Sequence, residues 1–289
     1  MKGKICVVTG ATSGIGYETA LEVARQGAKV FILCRNEQKG TEAVAKIAAE
    51  TGNQDLEVLL VDLSSQKSIR KVADQLHNKV DKIDVLVNNA GTWVSNLTLT
   101  EDQVEMQFAV NHLAYFLMTH LLLPLLAKAE QGRVVCVSSD SHFHSKMHFD
   151  DLNLTKKYHG LRAYAQSKLA NVMFGYELDR QLKARNLNIS INCVQPGLVK
   201  TDIGLKHTVS FHGLMWKLRR LGGVSPAKGA ETSIFLASSD AASGQSGKYW
   251  DKCKPKPSSK ASYVEADQKR LWEISQKLCK VEDYFANVG

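Results

Sequence analysis

Tyr164 and Lys168 stand four residues apart in the run YAQSK (164–168), inside a segment whose pattern predicts a helix over 163–185. Positions i and i+4 share one helix face, so a phenol and an ammonium are held side by side. A phenol titrates near pH ~10, so trading protons at neutral pH requires its pKa to come down by about three pH units. That is roughly 4 kcal/mol of phenolate stabilisation. A neighbouring Lys⁺ supplies part of it, and a bound cationic cofactor ring supplies more. The pair points to general acid–base chemistry. Both residues are also ordinary on amphipathic helices, so the rest of the chain has to support it.

The elements around the pair repeat with a helix–strand rhythm. Short β-branched runs predict strands at 5–8, 30–33, 58–61, 85–87, 134–137 and 189–194. Helical patterns fall between them, at 15–26, 37–50, 66–77, a long helix or pair over 103–127, and 163–185. Near-continuous apolar strands separated by helices imply a parallel sheet covered on both faces. Right-handed crossovers make it doubly wound, with ligands at the carboxyl ends of the strands. The fold class expected is α/β, a single Rossmann-type domain over 1–289. After the first strand comes Thr9-Gly10-Ala11-Thr12-Ser13-Gly14-Ile15-Gly16, opening the first helix. Glycines there allow a tight turn and let backbone N–H groups approach a pyrophosphate at the helix N-terminus.

Composition narrows the alternatives. The chain has 289 residues, 44% hydrophobic and 23% charged, which is globular and near the upper size for one core. Lys2 and Lys4 flank the start and the first apolar run is short, so no secretion signal is expected. The most apolar long stretch, 113–127, is interrupted by His120 and Pro124 and is expected to fall short of a membrane span. Six scattered cysteines with no CxxC pair read as reduced, and the compartment as cytoplasmic or cytosol-facing. His142, His144 and His148 do not have the spacing of a helical metal-ligand pair; no metal is expected, and they read as lining a substrate mouth. The net charge of +8 comes without an interleaved aromatic or nucleic-acid motif, so no nucleic-acid partner is expected.

TGATSGIG (9–16), NNAG (88–91), Asn111, the Ser138-Ser139 pair and YAQSK, in that order, resemble the short-chain dehydrogenase/reductase family. LCRNEQKG (33–40), MTHLLLPLL (118–126), YAQSKLANVMF (164–174), VQPGLVKTDI (194–203) and GKYWDKC (247–253) resemble its retinol-dehydrogenase-like branch. The resemblance implies NAD(P)-dependent alcohol–carbonyl interconversion. It implies that Ser139, Tyr164 and Lys168 are catalytic, with Asn111 supporting a proton relay. Lys168 is then expected to hold the phenol's pKa down and to reach the cofactor ribose. Cofactor contacts are expected from Gly10, Thr12, Ser13, Gly14, Ile15 and Gly16 in the turn. Asp62 and Leu63 follow the third strand, where Asp62 is either an adenine contact or a helix cap. Asn89, Ala90 and Gly91 close the fourth strand, and Pro196, Gly197, Val199 and Thr201 form a nicotinamide-side loop. Members of that branch often carry an apolar N-terminal anchor; Met1 stands four residues before the first strand, so none is expected. Family members often pair through the helices over 113–126 and 169–174, which implies a homodimer.

The cofactor expected is NADP(H). Relatives that prefer NAD place an acid where this chain has Cys34, and here Arg35 follows with Lys39 one turn on. A guanidinium meets a phosphate bidentately and nothing nearby repels it. From 200 to 260 there are eleven Lys or Arg against four Asp or Glu, so net +7 of the +8 is local. Within that span Phe211, Leu214, Met215, Leu218 and Leu221 recur at helical spacing beside Lys217, Arg219 and Arg220. A substrate lid is expected at about 200–225, with peripheral, salt-sensitive membrane contact through 207–223. A C-terminal helix at about 264–280 is expected to turn Leu271, Ile274 and Leu278 to the core. The function expected is oxidation or reduction of a small lipophilic alcohol or carbonyl compound. The competing function is a catalytically silent NADP(H)-binding scaffold or sensor.

Overall fold

The strands are β1 (Ile5–Thr9), β2 (Lys29–Cys34), β3 (Leu56–Leu60), β4 (Val85–Asn88), β5 (Gly132–Val137), β6 (Ile189–Val194), β7 (Lys248–Asp251) and β8 (Lys254–Pro255). In this computed structural model, which describes residues 1–197, 199, 223–286 and 288, they form one sheet in the order β3-β2-β1-β4-β5-β6-β7-β8. The first seven pair in parallel, and β8 turns back antiparallel on β7. Sequence order reverses between β1 and β4. There the connections leave in opposite directions and open a crevice at the carboxyl ends of the strands.

Alternate residues of each central strand feed two separate cores. Val7, Phe31, Leu33 and Leu86 pack beneath α3 (Gln66–Lys79), α4 (Met106–Ala127), α5 (Gly160–Ala184) and α7 (Glu265–Cys279). Cys6, Val8, Ile32 and Val87 pack beneath α1 (Gly14–Arg25), α2 (Glu37–Thr51) and α6 (Pro226–Ser238). Coverage on both faces explains why these strands read as unbroken apolar runs. The six expected strands and five expected helical regions are present with small changes of boundary. β7, β8 and α6 are additional elements. α5 starts three residues ahead of expectation, at Gly160, where any side chain would strike the Val94 carbonyl.

By length and composition alone α4, taken over Met106–Ala127, is apolar enough to cross a membrane, but most of its apolar window is buried inside the molecule. Its apolar side chains serve the core instead: Phe116, Leu117, Met118 and Leu122 are fully buried. The expected break within it is a π turn over Ala109–Leu113. The C-terminal segment covers what α4 and α5 would otherwise expose. Trp272 lies 5.2 Å from the Phe116 ring and 6.1 Å from Phe174, and Tyr284 lies 4.7 Å from Phe116. The Tyr284 hydroxyl also donates to the Phe116 carbonyl at 2.8 Å. Phe116 and Phe174, one from each apolar run, are thus covered by the chain's own tail. On α7 the buried line is Leu271, Trp272, Ser275 and Cys279, rotated slightly from the expected stripe, so Ile274 and Leu278 are only half-buried. The expected lid and membrane-contact segment lie outside the described residues, apart from 223 and its successors.

Candidate active site

The turn after β1 is shaped by its glycines. Gly10 and Gly14 have φ of 67° and 61°, backbone that favours glycine. Gly16 sits so close to the Gly10 carbonyl and the Asn89 amide that a Cβ would displace both. Ser13 caps α1 without a side-chain hydrogen bond to the helix, and the first hydrogen bond back to the cap comes from Tyr17 N. The N–H groups of Gly14, Ile15 and Gly16 therefore lack an intrahelical acceptor, the arrangement that binds an anion. Across the crevice, Thr9 Oγ accepts from Asn89 N at 2.9 Å and Ala90 N at 3.0 Å, while the Asn89 amide donates to Thr9 O at 2.9 Å. These bonds lock the ends of β1 and β4 together beneath one cleft of about 1170 Å³.

Gly10, Thr12, Ser13, Gly14 and Ile15 line that cleft at the turn; Arg35, Lys39, Asp62 and Leu63 line its outer end; Asn89, Ala90 and Gly91 line its middle. Pro196, Gly197 and Val199 line it beyond β6. Gly16 acts from behind, by close packing, and Thr201 lies outside the described residues. Arg35 and Lys39 are exposed, and Asn36 caps α2 between them by accepting from Lys39 N at 2.8 Å. Asp62 Oδ1 accepts from Ser64 N at 2.9 Å and Ser64 Oγ at 2.7 Å, so it organises its own turn while facing the cleft. The glycine cradle, the open helix start and the length of the cleft fit a dinucleotide.

At the inner end, Ser139, Tyr164 and Lys168 come together from β5 and α5. The Tyr164 ring is half-buried on the cleft floor, and burial pushes its pKa up to about 12; the Ser139 side chain, lying against the phenol, pulls the other way. Lys168 is buried, and burial brings its pKa down to about 8. Its Nζ donates to the Val137 carbonyl at 2.9 Å and stands 5.7 Å from the ring centroids of both Tyr164 and Tyr115. The expectation that Lys168 holds the phenol down is therefore corrected for the protein alone. The enclosure that weakens the ammonium also raises the phenol, and the carbonyl takes the amine's shortest bond. Ser138 donates to the Lys168 carbonyl at 2.8 Å, leaving Ser139 to face the phenol.

Asn111 is fully buried in the π turn and does not line the cleft. Its Oδ1 accepts from Thr92 N at 2.7 Å, and its Nδ2 donates to Thr92 O and Ser167 Oγ, each at 3.0 Å. The side chain staples the loop after β4 to α5 from behind the reacting groups. Tyr115, which the sequence did not single out, donates to the Ala90 carbonyl at 2.9 Å and braces the same loop. The three histidines part company. His144 lines the cleft, His148 accepts from Arg162 Nε at 3.1 Å, and His142 is buried away from the mouth. Met106, Val110 and Leu161 add apolar side chains to the lining of the cleft that holds Tyr164. Met106 and Val110 come from α4 and Leu161 from α5, and no spacing rule in the sequence relates the two helices.

A family model described as short chain dehydrogenase matches residues 4–208. Human retinol dehydrogenase 13 is 39% identical over 287 residues, covering 97% of this chain and 86% of that protein. Human retinol dehydrogenase 11 is 39% identical over 275 residues, with 95% and 85% covered. Among solved structures, a short chain dehydrogenase from Salmonella enterica serovar Typhi is similar with a TM-score of 0.68 and 27% identity, covering 86% of this chain and 96% of that one. A protein from Escherichia coli CFT073, solved in complex with NADPH, gives a TM-score of 0.69 and 25% identity, covering 87% and 97%.

Proposed function

The chain belongs to the short-chain dehydrogenase family, whose chemistry is NAD(P)-dependent alcohol–carbonyl interconversion, and from that premise we propose that it uses NADP(H) to interconvert a lipophilic alcohol and its aldehyde or ketone, with Tyr164 moving the proton. The observation that carries this is the enclosure of Ser139, Tyr164 and Lys168 at the inner end of the same cleft that holds the glycine turn at its other side. When bound, the nicotinamide supplies or accepts the hydride.

The chain's own residues do the rest. With its pKa raised to about 12, the Tyr164 phenol is protonated at neutral pH. It is therefore ready to give its proton to the oxygen that gains negative charge during reduction, and takes it back during oxidation. Ser139 donates a hydrogen bond to that oxygen and fixes the carbonyl for attack; one such donor contributes a factor of about 10²–10³. Lys168, held by the Val137 carbonyl, keeps an ammonium beside the phenol and is the residue that would meet the cofactor ribose. Thr92, pinned by Asn111, keeps the loop behind the ring in place.

Arg35 and Lys39, exposed at the outer end, suit the extra phosphate of NADP(H), and the E. coli neighbour bound to NADPH supports that choice. The wall of Met106, Val110 and Leu161 suits a lipophilic substrate, and the relatives named for retinol support that class. The basic, apolar stretch 207–223 would collect such a substrate from an anionic lipid surface. The test is turnover of an aldehyde, ketone and retinoid panel with NADPH and NADH. Reduction of apolar carbonyls with NADPH preferred is expected; no turnover with either cofactor overturns the function, and equal efficiency with both overturns the cofactor choice.

A further inference from the structure

His142 is fully buried in the tight turn Asp140–His144, three residues past Ser139, and has no part in the chemistry above. Its Nδ1 lies 2.7 Å from the Ser139 carbonyl oxygen, and its Nε2 lies 3.1 Å from the backbone nitrogen of Ser259. A backbone N–H can only donate, so Nε2 is the acceptor. The neutral ring then carries its hydrogen on Nδ1 and donates it to the Ser139 carbonyl. The tautomer follows from the chemistry of the two partners.

A protonated ring would set N–H against the Ser259 N–H, and burial already lowers the His142 pKa. The charged neighbours do not reverse this. Asp140 on the same turn and Lys256 from the C-terminal side lie 3.8 Å apart and oppose each other, His144 acts in the same direction as Lys256, and the Tyr249 ring packs at 4.8 Å.

The far end of this contact is anchored firmly. The Ser262 hydroxyl donates to the Ser259 carbonyl at 2.6 Å and bonds to Ser258 Oγ at 2.7 Å. Ser258 Oγ meets the Tyr176 hydroxyl of α5 at 2.6 Å, and Gln268 of α7 donates to the Ser262 carbonyl at 2.7 Å. At the near end, Ser139 Oγ has only the Ser141 N–H, at 3.2 Å, to hold it within its own loop. The Ser139 carbonyl also accepts from the His142 backbone N–H at 3.2 Å, so the imidazole adds a second, shorter hydrogen bond there and is the one that ties the serine loop to a turn fastened on two helices.

We propose that His142 is the positioning residue that sets Ser139 against Tyr164, making the C-terminal turn around Ser259 a strut of the active site. The role rests on the function proposed above. It differs from general packing because only one side of the ring, the Nδ1–H, bears on the serine.

That asymmetry gives the test. His142→Phe keeps a buried ring and removes both bonds. His142→Asn returns an amide donor at the Nδ1 position, whereas His142→Gln carries its amide out to the Nε2 position and away from the Ser139 carbonyl. The expectation is a fall in kcat of roughly 30-fold for the Phe variant, of the order that a displacement of about 1 Å causes. The Asn variant should recover to within about threefold of wild type, the Gln variant should stay near the Phe variant, and NADPH affinity should change less than about twofold in all three. Full kcat in the Phe variant, or an Asn variant as slow as the Phe variant at equal NADPH affinity, overturns the proposal. Nitrogen NMR of the labelled imidazole tests it without turnover: a neutral ring protonated on Nδ1 is expected from pH 6 to 9, and a ring protonated on Nε2 overturns it. Wild-type protein that turns over no carbonyl defeats the parent function and this role with it, whereas an Nε2–H ring defeats this role alone.

Discussion

The two ends of the cleft are built differently. The outer end is made of backbone: the Gly10–Gly16 turn, the open start of α1, and strand ends tied by Thr9 and Asn89. Its side chains, Arg35, Lys39 and Asp62, are exposed. The inner end is made of side chains taken out of water, and burial moves a phenol up to about 12 and an ammonium down to about 8. On the proposed function, one end would hold a ligand by shape and amides, and the other would control a proton from groups taken out of water. The two should therefore fail in different ways when changed.

The largest effect is expected from Gly16→Val. A side chain there strikes the Gly10 carbonyl and the Asn89 amide, so NADPH affinity should fall by more than about 100-fold, and turnover with it. Calorimetric titration with NADPH checks it; near-normal affinity would mean that the turn is not the cradle. Lys168→Met comes next, because on the proposed function this inner-end amine would touch both the phenol and the cofactor. A loss of about 100-fold in kcat with about tenfold in NADPH affinity is expected, since the amine serves both phenol and ribose. Loss in only one of the two parameters would sharpen the division further.

Arg35→Ala touches only the outer end. The ratio of kcat/KM for NADPH over NADH should shrink about tenfold, the worth of one charge-assisted contact, with kcat for NADPH little changed. A fall in kcat instead would blur the comparison. The smallest effect is one of pH. A phenol whose pKa is raised is the neutral donor at every pH well below it, so reduction should vary less than about threefold between pH 6 and 8. Oxidation needs the phenolate and should rise with pH over the same range. A reduction rate that falls steeply across that window would place the donor's pKa inside it.

The same division governs what the sequence disclosed. The Gly-x-x-x-Gly-x-Gly turn, the strand rhythm and Tyr164 with Lys168 are local patterns, and local patterns survive in one dimension. Ser139 came from a family resemblance, and the structure adds the reason: Ser138 is held by the Lys168 carbonyl. Asn111 was expected in a proton relay, and its bonds as a staple were not legible, because its partners Thr92 and Ser167 lie 19 and 56 residues away. His142 looked like a residue of the substrate mouth. Its real partner, Ser259, is 117 residues distant, and no periodicity relates them. The burial of the phenol was hidden for a similar reason, since burial is a property of the assembled core and not of one charge placed at i+4. β7 and β8 are too short to show a period.

The most direct measurement is NADPH binding and carbonyl turnover on the same preparation of Tyr164→Phe. The substitution removes one hydroxyl from the inner end and nothing from the outer. NADPH affinity within about twofold of wild type and kcat lower by at least about 10³-fold are the predicted result. Wild-type turnover in that variant would contradict the account, because the proton would then come from somewhere other than Tyr164.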